Sequence, residues 1–281
     1  MTSRRRAIPV WMSAVALALM VAAAVAAPGI APADPQAQDL QFRLARPTWL
    51  IGAPLMLGAD HLGRDVLSRI VWGARASLAM GLLAVFVGGV VGTVLGVVSG
   101  YWGSWVDHVI MTAVDIQMAF PFILLAIALI AVLGPSFATL VIVVGLSGWV
   151  TFARVVRGQV LSLKAREFIE GARAAGAGHV RILVRHILPN AASPLIVVAT
   201  LELARILVLE SSLSFLGLGI QPPTPSWGGM LRDGREHVAN AWWVATFPGT
   251  ALLMTCLCVN RIGDSLRDLL DPQARTDSGS A

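Results

Sequence analysis

The sequence predicts an all-α fold, a polytopic membrane protein of six transmembrane helices, and three observations carry that expectation. Apolar residues fill 56% of 281 positions and charged residues only 13%, and the mean hydropathy of +0.74 lies outside the range of soluble globular chains. Six charge-poor stretches approach or exceed the roughly 20 residues that a helix needs to cross a hydrocarbon core. The basic residues lie between these stretches in short clusters, a pattern that sets orientation in a bilayer. A formal charge of +5 scattered in this way, with no single basic stripe, argues against nucleic acid as a partner.

The first span is expected at Val10 to Ala27, after Arg4, Arg5 and Arg6 and before the breaking run Pro28, Gly29, Pro32 and Pro35. A basic start, an apolar core and alanines before Pro28 also describe a cleaved signal peptide. Retention as an anchor is the expectation, because five further spans follow and need their orientation fixed. Residues 76 to 106 carry no charge, and the run from Leu78 to Ser99 holds Gly81, Gly88, Gly89, Gly92 and Gly96, which suits a second span packed closely on its neighbours. No charge occurs from Ile116 to Ala153 either, but a helix of that length would reach about 57 Å, too long for one crossing. Gly134 and Pro135 divide it into span three, Val109 to Leu133 with a kink at Pro121, and span four, Phe137 to Val156. Span five, Ala191 to Leu216, is interrupted by Glu202, Arg205 and Glu210; span six, Ala241 to Val259, is uninterrupted.

With the N-terminus in the cytoplasm, six spans put residues 157 to 190 and the C-terminal tail on that side, with 13 basic residues inside and seven outside. Outside, Leu62, Val66 and Ile70 recur opposite Arg64 and Ser68, which predicts an amphipathic helix lying at the interface. Rigid Pro222, Pro223 and Pro225 with Trp227, Trp242 and Trp243 predict an aromatic belt at the headgroups. The domain plan is then an anchor and outer segment over 1–75, a membrane unit over 76–262 containing an inner loop at about 158–190, and a tail over 263–281. Cys256 and Cys258, one residue apart in an apolar run, suit neither a disulfide nor a zinc site.

The inner loop from Glu167 to Pro189 reads EFIEGARAAGAGHVRILVRHILP and is not linker sequence. Phe168, Ala172, Ala175 and His179 lie along one helical stripe with Arg166, Glu170 and Arg173 near it, and Gly176 and Gly178 allow a sharp turn. Two short helices joined by a glycine turn make a knob that a soluble partner can grip; an ordinary amphipathic re-entry helix is the plainer alternative.

This loop resembles that of the permease subunits of binding-protein-dependent ABC importers, in which Glu-Ala-Ala is followed by three residues, Gly, nine residues, Ile, one residue and Leu-Pro. Here the frame is Glu170, Gly171, Ala172, Gly176, then His186, Ile187, Leu188 and Pro189, with Gly171 replacing an alanine and His186 the isoleucine. GADHLGRDVLSRIVWGARASL at 58–78, HILPNAASPLIV at 186–197 and LSFLGLGIQPPTPSWGGML at 213–231 resemble the subgroup serving dipeptides, oligopeptides and nickel. The likeness runs from about Gly58 to Pro272, and within the subgroup the chain looks like the second, six-span subunit.

The resemblance implies an ABC type I importer permease fold in a bacterial inner membrane with both termini cytoplasmic. The implied partners are a homologous second permease subunit, two ATP-binding subunits, an extracytoplasmic substrate-binding protein and the lipid bilayer. It also implies that the loop helix docks on an ATPase, with Glu170 as the charged contact, Gly176 as the turn, and Gly171, Ala172, Ala175 and Pro189 completing the coupling surface. ATP and Mg would belong to those partner subunits and no cofactor to this chain, which is not an enzyme; Lys164 follows Leu163 and lacks the glycine of a phosphate-binding loop. Dipeptides or short oligopeptides are the expected cargo, with nickel or another small solute as the alternative.

Ionisable groups inside spans are costly enough to be functional candidates. Glu202 and Arg205 either neutralise each other at i and i+3 or line the translocation path; Glu210, with no partner evident in sequence, is the stronger path candidate, and Asp115 and Gln117 are further ones. Ser147 in Gly145-Leu146-Ser147-Gly148 resembles the GxSG of intramembrane serine proteases, yet the five histidines, at 61, 108, 179, 186 and 237, all fall in loops or at span ends. Ser147 is therefore read as a packing residue. A secondary transporter would show repeated halves, and none is found.

Overall fold

The computed structural model describes residues 10–49 and 55–270, so Arg4 to Arg6 and the tail beyond Leu270 lie outside the described residues. Among the described residues the secondary structure is helical, with one isolated β-bridge between Ala59 and Asp65. α1, Val10–Val25, is followed by the single turn α2, Ala27–Ile30, which carries Pro28 in its first turn, where a missing N–H costs nothing.

α3, Val66–Trp102, starts ten residues before the charge-free stretch. The cause is a cap: the Asp65 carboxylate accepts from the Ser68 amide at 2.7 Å. Val66 and Ile70 thus belong to the first turns of α3 and not to a separate interfacial helix, and Leu62 lies outside any helix. Gly103, at φ +64°, ends α3 and begins α4, Ser104–Ala119. Span three is not one kinked helix. α4 meets α5, Phe122–Leu133, at 92°, because Pro121 has no amide to donate and drives Phe120 into an extended conformation.

α6, Phe137–Lys164, begins at a Ser136 cap and continues past Val156. α7, Glu167–Ala174, and α8, His179–Ile182, form the predicted loop knob. A π-helical turn at Leu183–Ile187 leads into α9, Leu188–Phe215; α10, Trp227–Arg235, and α11, Trp243–Leu270, complete the chain. Among the described residues four helices are long and apolar enough to cross a membrane, or five where the bent α4–α5 pair counts as one broken span. α1 is apolar but, at 16 residues, shorter than the roughly 20 of a full crossing.

The centre of the bundle is the pairing of α3 with α6, which run parallel. Gly88, Gly92, Gly96 and Gly100 face Gly145, Trp149, Ala153 and Arg157 at one constant offset. A Cβ on Gly88 or Gly96 would stand 2.5 Å from the carbonyl oxygen of Gly145 or Ala153, so the two backbones touch and only glycine fits. Met80, Ala84, Ile130, Leu140, Val144, Ile206 and Leu213 fill the core beside this contact. Val66, Met230, Ala241, Trp243 and Val244 close one end, here termed the cap end; α7 and α8 close the other, the loop end.

Candidate functional site

At the loop end, α7 is positioned by one wedge. Ile169 is fully buried and packs with Ile182, Leu183 and Ile187 against Val97 and Tyr101 of α3 and Val156 and Val160 of α6. The expected stripe of Phe168, Ala172, Ala175 and His179 is not the anchor: Phe168, Ala175 and His179 are exposed and Ala172 half-buried. Ile169 stands beside the stripe, and its one apolar partner at helical spacing within the short α7, Ala172, already belongs to that stripe. Gly176, at φ +81°, closes α7 by donating to Arg173 O at 2.9 Å while Ala177 donates to Ala172 O at 3.0 Å, a Schellman motif. Tyr101 Oη lies 2.8 Å from His179 Nδ1, which ties α8 to the end of α3, and Lys164 Nζ donates to Tyr101 O at 2.6 Å, which ties the end of α6 to it as well. Arg157 holds Asp107 through two bonds at 2.5 and 2.6 Å, fastening α6 to α4. Glu170, Gly171, Ala175 and Gly176 remain exposed on the knob, Ala172 is half-buried there, and Pro189 is exposed in the first turn of α9.

The candidate path residues separate. Glu202 is buried and Arg205 exposed; Arg205 Nε donates to Glu202 Oε2 at 2.7 Å and Nη2 to Ser147 Oγ at 2.8 Å. Ser147, which also donates to Val144 O at 2.6 Å, is thus held by Arg205 and the backbone and has no histidine in its hydrogen bonds. Glu210 does have partners, contrary to the sequence expectation: it is fully enclosed and accepts from Ser214 at 2.6 Å and Ser211 at 3.4 Å. Asp115 pairs with Arg154 at 2.7 Å, both exposed. Gln117 is fixed between Leu146 O at 3.0 Å and Trp149 Nε1 at 2.6 Å, as a brace between α4 and α6.

Sequence reasoning missed a charged cluster at the cap end. Asp60, 1% exposed, bonds Arg64 Nε at 2.7 Å and Arg69 Nη1, and both guanidinium groups reach Asp233 of α10 at 3.3 Å. Burial would raise the Asp60 carboxyl, but Arg69 and Arg64 outweigh it and hold it below its ordinary 3.8. His61 stacks on His237 at 5.8 Å, and burial keeps it below 6.5 against the opposing pull of Asp60 and Asp233. Trp227 and Trp243 are buried and donate to Ile70 O and Ala59 O, each at 3.1 Å, so only Trp242 of the expected aromatic belt is exposed. The signal available in sequence was the Asp60, Arg64, Arg69 spacing in the GADHLGRDVLSR stretch.

Residues 92–276 match the family described as binding-protein-dependent transport system inner membrane component. The chain belongs to this family. It is a multi-pass inner-membrane permease of an ABC importer, a class that works with ATPase and binding-protein partners. The permease is 42% identical over 259 residues to the di/tripeptide transport system permease DppC of Pseudomonas aeruginosa, covering 92% of this chain and 86% of the relative. It is 46% identical over 220 residues to the glutathione transport system permease GsiD of Pectobacterium atrosepticum, covering 78% and 73%. To the dipeptide permease DppC of Alkalihalophilus pseudofirmus it is 46% identical over 219 residues, covering 78% and 72%. The inward-facing MetNI methionine ABC transporter matches 72% of this chain and 96% of its own at a TM-score of 0.59 and 22% identity, which establishes the type I permease fold. An amino acid ABC transporter solved with histidines gives 0.56 at 14% identity, over 72% of this chain and 94% of its own.

Proposed function

We propose that this permease is one of two homologous but distinct membrane subunits of an importer for dipeptides and short oligopeptides. Two ATPase subunits bind ATP and Mg, an extracytoplasmic protein delivers the peptide, and this chain carries neither cofactor nor covalent chemistry. With α1 serving as the sixth span, both termini face the cytoplasm, as the distribution of basic residues favours. The names of its relatives support the cargo, since glutathione is itself a tripeptide.

The observation that carries the coupling role is the knob. Ile169 fixes α7 to the inner ends of α3 and α6 while Glu170 and its small neighbours stay open. A motor subunit that grips Glu170 and moves therefore displaces the two central helices directly, and the peptide path opens and closes by their tilting. In the assembled transporter in proteoliposomes, Glu170→Lys and Gly176→Pro are expected to insert like the wild type yet lose most ATP-driven dipeptide uptake, with hydrolysis continuing uncoupled. Wild-type uptake in both variants would refute the proposal.

A further inference from the structure

We infer that Arg205 is the contact in this subunit for the carboxylate end of a peptide in transit, on a water-facing strip formed by α6, α9 and α4. The inference rests on the peptide-import reading above. Ser147 lies ten residues from the cap-end terminus of α6 and Arg205 ten residues from that of α9, so both sit about 15 Å into the bundle. At that depth the Arg205 side chain is 44% exposed, whereas its counter-ion Glu202 is 7% exposed. The guanidinium is therefore the outward member of the pair.

A half-exposed guanidinium at mid-depth is costly against lipid tails, and a dry contact with another subunit would also strip its water. The rest of the strip points the same way. Thr151 and Arg154 follow Ser147 on one face of α6 and are exposed, with Asp115 of α4 paired to Arg154 at side-chain exposures of 68% and 46%. Charges this open require water beside them. Nε and Nη2 of Arg205 are engaged by Glu202 and Ser147, which leaves Nη1 as the donor open to a solute. Neutralisation by Glu202 keeps that contact weak, as a group that must release its cargo requires.

Two measurements in the assembled transporter test this. The first compares uptake of one dipeptide with its C-terminal amide: Arg205→Gln is expected to lower the acid-to-amide ratio about tenfold, as loss of a charge-assisted bond predicts, and Arg205→Lys to restore most of it. The second labels Arg205→Cys and Thr151→Cys, in a Cys256→Ser, Cys258→Ser background, with a membrane-impermeant thiol reagent. Labelling of both, with protection by excess dipeptide, is expected. An unchanged ratio in Arg205→Gln, or absence of labelling at position 205, overturns the inference while leaving the import reading intact. A wild-type transporter that takes up neither the acid nor the amide overturns both.

Discussion

Asp60 shows how one side chain holds distant segments together. It sits between Arg64 and Arg69, and through them reaches Asp233, so the turn before α3 is joined to α10 by charge. Removing one member of a buried ion cluster strands the others, so Asp60→Asn is expected to cost about 3–5 kcal/mol, read as a lower Tm in detergent. Because its carboxyl is held below 3.8, folding gains from Asp60 at every pH above that value and loses the gain only as pH falls below it. His61 acts in a different range. Its folded form resists protonation, so the unfolded chain takes the proton first and stability falls as pH drops below 6.5. His61→Gln is expected to flatten that part of the Tm profile; an unaltered slope would assign it to another group.

At the scale of elements, the glycines of α3 divide by position. A Cβ on Gly92 meets Trp149 O and stands 2.6 Å from Phe152 Cβ, whereas one on Gly89 meets only the Phe152 ring at 3.6 Å. Gly92→Ala is expected to destabilise by about 1–3 kcal/mol and Gly89→Ala to leave Tm unchanged, which a pair of melting curves checks. The glycine run was legible as a packing surface, but sequence could not say which glycines touch. Helix ends were less legible, since hydropathy marks charge-free lengths. α3 is set by the Asp65 cap and by Gly103, and α6 and α11 carry charged residues well past their apolar stretches. The right angle at Pro121 exceeds the expected kink because Phe120 is extended there, so the helix is broken where the sequence suggested only a bend.

For the whole molecule, six apolar stretches and the loop knob were legible because both depend on composition and short spacing. The cap-end cluster was not, because Arg64 and Asp233 are 169 positions apart. Nor was the sorting of Glu202, Arg205 and Glu210, three neighbours on α9 whose surroundings are set by α6, α10 and the serines beside them. The topology makes its own prediction. In vesicles of known sidedness, Glu170→Cys should label only from the ATPase side and Glu236→Cys, on the exposed rim of α10, only from the opposite side. Labelling of both from one side would reverse the arrangement.

The backbone contact of α3 with α6 carries a mechanical consequence. Helices whose carbonyls lie in one another's glycine notches can neither slide nor roll without collision, so over the stretch from Gly88 to Gly100 the two behave as a single stiff strut within an α3 about 55 Å long. If the knob is gripped as proposed, force delivered at Ile169 passes along this strut toward Asp65 and is not absorbed on the way.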